Sequence, residues 1–123
     1  MSEAFMSMCG SSSVVASAAP LCDAIAHYNG NNTNQSLPIT VSRIVITNFY
    51  YAGGPYFTNA ALAITPQSSI NTYQEFYICM FHPSGSSLNA DTCHVYIALT
   101  STVIRAYIDS ASYYVGFTIF CYK

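Results

Sequence analysis

Cys93-His94-Val95-Tyr96-Ile97-Ala98-Leu99 alternates with a period of two, Cys93, Val95, Ile97 and Leu99 falling on one side and His94, Tyr96 and Ala98 on the other. Successive side chains leave a strand on opposite faces, so this pattern of β-branched and aromatic residues predicts sheet. Val103 to Ile108 follows as a second strand and Tyr113 to Tyr122 as a third. The third is apolar on both faces, with Tyr113, Val115, Phe117, Ile119 and Cys121 on one and Tyr114, Phe120 and Tyr122 on the other. A strand of that kind is expected to be covered on both sides, by its own fold or by another subunit.

Working back from these strands, Ile70 to His82 reads as strand and the polar stretch Pro83 to Thr92 as loop. Setting His82 opposite Cys93 places Met80 beside Val95, Ile78 beside Ile97 and Phe76 beside Leu99, and one face of the resulting hairpin becomes wholly apolar. A slip of one residue destroys that match, which fixes the phase. In this pairing Cys79 and Cys93 lie on opposite faces, and no disulfide between them is expected. Tyr56 to Thr65 is a further strand, closed by Pro66-Gln67-Ser68-Ser69. Ile39 to Tyr51 is a long one, with Ser42-Arg43 and Thr47-Asn48 as candidate kinks and Ala52-Gly53-Gly54-Pro55 as the turn after it. Asn29 to Ser36 is loop by composition and carries two glycosylation triplets, at Asn31 and Asn34. The segment Pro20 to Tyr28 fits a short helix starting at proline, or a first strand. Turn signals with strands between them and no long helical pattern predict an all-β fold, a jelly roll or β-sandwich of about six to eight strands. Residues 1–19 are assigned to an extended N-terminal arm and 20–123 to a single domain. Val14 to Ala19 resembles a small-residue cleavage site, but Glu3 gives the wrong charge ahead of it and no solid apolar run precedes it.

Charge is the anomaly of the composition. Only 7% of the 123 residues are charged, against roughly 25% in an average soluble domain. Sixteen Ser, ten Thr, eight Asn and three Gln take their place, with eleven Tyr and seven Phe. A net charge of −2 favours association, and tyrosine suits surfaces that are dry on one side and wet on the other. Three scattered basic residues, Arg43, Arg105 and Lys123, cannot supply the phosphate contacts of a nucleic-acid binder. No apolar run approaches the roughly 20 residues of a membrane-spanning helix.

Cys79-x-x-His82 with Cys93-His94 has the ligand types of a zinc site, but strand geometry turns Cys79 and His82 to opposite faces, and Cys93 and His94 likewise. A cysteine nucleophile needs positive charge and oxyanion donors nearby. No Gly-rich elbow precedes either cysteine, and the five carboxylates are scattered. No catalytic, cofactor-binding or metal-ligating set is therefore assigned, and the reading is not of an enzyme. Five cysteines leave at least one free or bonded to another chain.

The architecture resembles, at the level of fold alone, the small jelly-roll subunits of capsids, appendages and trimeric knobs. The expected function is a structural subunit that assembles with itself into a fibre, appendage or capsid-like array. Phe5, Cys9, Val14, Val15, Cys22 and Cys121 are the candidates for contacts or disulfides between subunits. The alternative is a trimeric receptor- or carbohydrate-binding knob, with Tyr50, Tyr51 and Tyr56 as its aromatic platform. An extracellular appendage or a virion is the favoured setting.

Overall fold

The computed structural model describes residues 22–52, 56–109 and 113–123, and among them the chain forms nine β-strands and no helix. The strands are β1 (Ala24–Gly30), β2 (Gln35–Ser36), β3 (Arg43–Tyr51), β4 (Tyr56–Thr58), β5 (Leu62–Ile64), β6 (Tyr73–Ser84), β7 (Ser87–Leu99), β8 (Val103–Ile108) and β9 (Val115–Tyr122). The choice between helix and strand near residue 24 thus falls to strand. The alternation Ala24, Ala26, Tyr28 inward and Ile25, His27 outward wins over the helical spacing. The expected arm lies outside the described residues.

All pairings are antiparallel, in the order β1-β9-β3-β4-β6-β7-β8-β2, with β5 also on β3. β9 inserts between β1 and β3, joining the first and last strands of the described chain. The expected strand over residues 56–65 is broken in two, and both pieces run along β3, separated by an irregularity opposite Thr47 and Asn48. There β3 shifts register against β9 and Asn48 takes a φ of 56°, a left-handed conformation that asparagine tolerates well. The kink expected at Thr47-Asn48 is therefore a bulge.

The β6–β7 hairpin corrects the expected register. Phe76 pairs with Val95, Ile78 with Cys93, Met80 with Asp91 and His82 with Asn89, four residues away from the pairing expected. The chain does not loop from Pro83 to Thr92 but continues as strand to a two-residue turn, Gly85-Ser86, closed by the Ser84–Ser87 pair. Gly85 has φ +63° and Ser86 does not share the positive sign, as in a type II′ turn, whose twist matches that of the flanking strands. A slip of four is even, so the inward and outward assignments survive. Cys79 is exposed outside, Cys93 is half-buried inside, and both are free thiols.

One core fills the interior. Ile44, Ile46, Phe49, Val115, Phe117 and Ile119 come from the β3–β9 side, and Met80, Val95, Ile97, Leu99 and Ile104 from the β6–β7–β8 side. On β9 the inward phase Val115, Phe117, Ile119, Cys121 is buried, while Gly116, Thr118, Phe120 and Tyr122 are half-buried outside.

The sheet is nearly closed, and at the gap between β1 and β8 a side chain replaces the ladder. The buried Tyr28 hydroxyl accepts a hydrogen bond from Ala106 N–H (3.1 Å) and another from Thr33 N–H (3.2 Å), and donates to Thr33 C=O (2.7 Å). A phenol has one proton, so the Ala106 carbonyl at 3.3 Å loses to the nearer acceptor and instead takes the Asn32 N–H at 2.8 Å. The Tyr28 hydroxyl, both backbone groups of Ala106 and both of Thr33 are thereby paired across the gap. A Cβ at Gly30 would collide with the Thr33 hydroxyl and crowd the Tyr28 oxygen at 3.0 Å, which explains the glycine there.

Candidate interaction surface

Strand alternation sends Tyr73, Glu75 and Tyr77 of β6, His94 and Tyr96 of β7, and Arg105, Tyr107 and Asp109 of β8 to the outside of one sheet. His94 is the hub. Its Nε2 lies 2.8 Å from the Glu75 carboxylate, and its Nδ1 lies 3.3 Å from the Tyr96 hydroxyl and 3.6 Å from Asp109. Tyr77, 72% exposed, stacks on the imidazole at 4.3 Å. Tyr96 and Tyr107 stack at 4.7 Å with planes 7° apart, and Tyr73 stands edge-on to both. Arg105 lies over the Tyr73 ring and donates to the Ile70 carbonyl (2.8 Å). No hydrogen bond joins Cys79 to His94, and among the described residues no group of three or more His, Cys, Asp or Glu is arranged to hold a metal.

Beside this cluster the outer surface turns apolar. Tyr50 of β3 pairs with Phe57 of β4, Phe57 with Phe81 of β6, and Phe81 with Ala90 of β7, a row crossing four strands. Tyr114 packs on Tyr50 at 6.4 Å and Phe81 on Phe57 at 6.4 Å. Leu88, 60% exposed, sits on the hairpin beyond the row. Of the eight large hydrophobic residues exposed among the described ones, Tyr50, Phe57, Tyr77, Phe81, Leu88 and Tyr114 belong to this outer sector. Exposed apolar residues scattered singly are ordinary, whereas six of these eight fall in one sector. A smaller apolar row, Ile25–Phe120–Val45–Ala63, crosses β1, β9, β3 and β5 on the outer face of the same nine-stranded sheet.

The hairpin tip also leaves a sheet edge open. β7 pairs with β6 along its whole length, but with β8 only from Val95 to Leu99. The Asp109 N–H reaches the His94 carbonyl (2.8 Å), and beyond that point no described strand lies beside residues 87–92, all exposed. Pro83 fits the same geometry. It faces Leu88 in a pair that does not exchange hydrogen bonds, so its missing N–H falls on the free side of β6.

The residues singled out in the sequence divide as follows. Tyr50 is outside, in the apolar row. Tyr51 and Tyr56 are brought together on the other face (6.1 Å), where Tyr56 meets the His82 ring at 4.6 Å. The Asp91 carboxylate lies 3.0 Å from His82 and accepts the Tyr56 hydroxyl at 3.3 Å. The three tyrosines therefore do not form one platform, because Tyr50 and Tyr51 are neighbours on a strand and point opposite ways. Phe5, Cys9, Val14 and Val15 lie outside the described residues. Cys22 is half-buried and disulfide-bonded. Cys121 is corrected as a link between subunits: it is fully buried on the inward face of β9 and cannot reach another chain without opening the sheet.

Burial pushes the thiols of Cys93 and Cys121 up, away from the low values a thiolate nucleophile needs. It also raises the hydroxyls of Tyr56, Tyr96, Tyr107 and Tyr122, with nearby carboxylates adding to the effect and the Arg43 guanidinium opposing it at Tyr122. In each case the folded state holds the proton more tightly than the unfolded chain. That stability is complete below the unfolded values, about 8.5 for Cys and 10 for Tyr, and is lost as pH climbs through them toward the folded values. The midpoint of urea unfolding is therefore expected to fall between about pH 9 and 11; a midpoint that holds steady across that window contradicts the assignment.

The hairpin and the aromatic sectors have no counterpart to borrow a role from: no protein-family model, no curated protein and no solved structure matches this chain.

Proposed function

We propose that this chain is a structural subunit that assembles with itself into a fibre, appendage or capsid-like array. The observation that carries the reading is the outer sector in which six exposed large apolar side chains adjoin an open sheet edge. Aromatic and apolar residues concentrated in that way form the centre of protein interfaces, and an open edge is a template for another strand. A surface nearly without charge offers little electrostatic resistance to association. The N-terminal segment 1–19, with Phe5, Met6, Met8, Val14 and Val15 as its apolar members, is read as a second contact, donated to a neighbour. We read the architecture as a sandwich of the jelly-roll kind, supported by the two packed sides of the core. The meander from β3 to β8 gives it fewer crossovers than the double Greek key of that class.

A binding knob is the second reading. It is favoured by Tyr77 standing exposed beside the Glu75–His94–Asp109 cluster, where an aromatic face and hydrogen-bonding groups suit a saccharide. The two readings separate in one set of measurements. Sedimentation velocity over a concentration series and negative-stain microscopy are expected to show particles that grow with concentration. Deleting residues 1–19 is expected to keep the β circular dichroism spectrum and to abolish the extended assemblies. A chain that sediments as a monomer at every concentration overturns the proposal, and a discrete trimer with saturable glycan binding establishes the knob.

A further inference from the structure

Resting on the self-assembly reading, we infer that the open edge of β7 pairs with the same edge of a second copy, antiparallel, about a two-fold axis through Ala90. His94 turns its carbonyl toward Asp109, away from β6. Backbone groups alternate sides along an antiparallel strand, and the β6–β7 register runs without interruption, so Thr92, Ala90 and Leu88 turn theirs the same way. None of these three residues makes a hydrogen bond on that side. Residues 87–92 thus present a regular row of donors and acceptors, guarded only by the charge of Asp91.

An antiparallel pair between two copies of this edge allows only registers centred on a single residue. Centred on Asp91, the two Asp91 carboxylates stand directly opposite each other, which is destabilising. Centred on Asn89, the pairing runs into the Gly85-Ser86 turn and shortens. Centred on Ala90, it spans residues 87–93 and forms about six backbone hydrogen bonds, two between the Ala90 residues and two for each facing of Leu88 with Thr92. Each Asp91 then faces Asn89 of the second copy, an amide donor to a carboxylate that His82 and Tyr56 already hold in place. Charge selects the register, and the amide rewards it.

The outer surface supports the same axis. Phe81 pairs with Ala90, so joining two Ala90 residues continues the row Tyr50–Phe57–Phe81–Ala90 into its two-fold-related copy across the contact. The small side chain at the axis leaves room for both Phe81 rings, and the exposed Leu88 is covered against Thr92 of the second copy.

The test is sedimentation velocity of the full chain at fixed salt, reading the concentration at which the first association step is half complete. Asn89→Asp opposes two carboxylates twice per contact and is expected to raise that concentration about tenfold. Asp91→Asn alone, leaving amide against amide, is expected to stay near the parent. The swap Asn89→Asp/Asp91→Asn restores one carboxylate and one amide at each facing and is expected to return to within about twofold of the parent. Residues 89 and 91 are exposed, and circular dichroism confirms that each variant is folded. If Asn89→Asp changes nothing, or the swap does not rescue it, the Ala90-centred contact is overturned while self-assembly stands. If the parent never associates, both fall together.

Discussion

Phe117→Ala is expected to give no soluble folded protein. Phe117 is 4% exposed on the central strand β9, stacked on Tyr28 at 5.1 Å and tilted against Phe49 at 5.3 Å. Truncating a buried phenylalanine costs about 3–5 kcal/mol, the lost transfer energy plus the cavity left behind. The whole stability of a domain is about 5–15 kcal/mol. The cost falls where relief is least available, because β9 is hydrogen-bonded on both sides and cannot shift into the void without disturbing β1 and β3. Expression followed by thermal unfolding decides the matter. A variant that melts within a few degrees of the parent places Phe117 at the periphery and contradicts the packing described above.

Tyr28→Phe should cost on the order of 2–4 kcal/mol although it removes a single oxygen. The ring stays and keeps its stack on Phe117, so little apolar burial is lost. What goes is the acceptor for two N–H groups, Ala106 and Thr33, and the donor to the Thr33 carbonyl. A buried backbone group left without a partner costs about 1–3 kcal/mol. Amide hydrogen exchange should accelerate first at Ala106 and Thr33, at the β1–β8 gap, while the β6–β7 ladder stays protected. Uniform acceleration through all strands would mean that the gap is not a separate weak point, and an unchanged unfolding midpoint would mean that the phenol does not hold it.

The last strands of this fold were legible from period two alone. Val103–Ile108 coincides with β8, and the inward phase of β9 is the one that the alternation of Val115, Phe117 and Ile119 predicts. The same alternation puts Cys121 inside, so its reading as a link between subunits neglected information already in the pattern. The hairpin register was not legible from hydrophobic matching, which is blind to an even slip. Gly85-Ser86 was the missing signal, masked by a stretch whose serines, asparagine and aspartate have loop composition yet sit on strands that project into solvent. The outer sector could not be found in the sequence at all. Tyr50, Phe57 and Phe81 become neighbours only through the β3–β4–β6 pairing, and Tyr28 meets its partner 78 residues away.

The place of β9 between β1 and β3 has a consequence for the order of events in synthesis. β1 emerges early and keeps its ladder groups unmatched until residues 115–122 have been translated, and the Lys123 N–H closes on Asp23 100 residues back. β1 and β3 therefore wait for the strand made last of the nine. Contacts this distant in sequence make for slow folding and a vulnerable interval before the sheet completes. During that interval only the local pairings, β3 with β4 and β5, β6 with β7 and β7 with β8, are able to form, and a nascent chain offers its edge strand to neighbours before its core is complete.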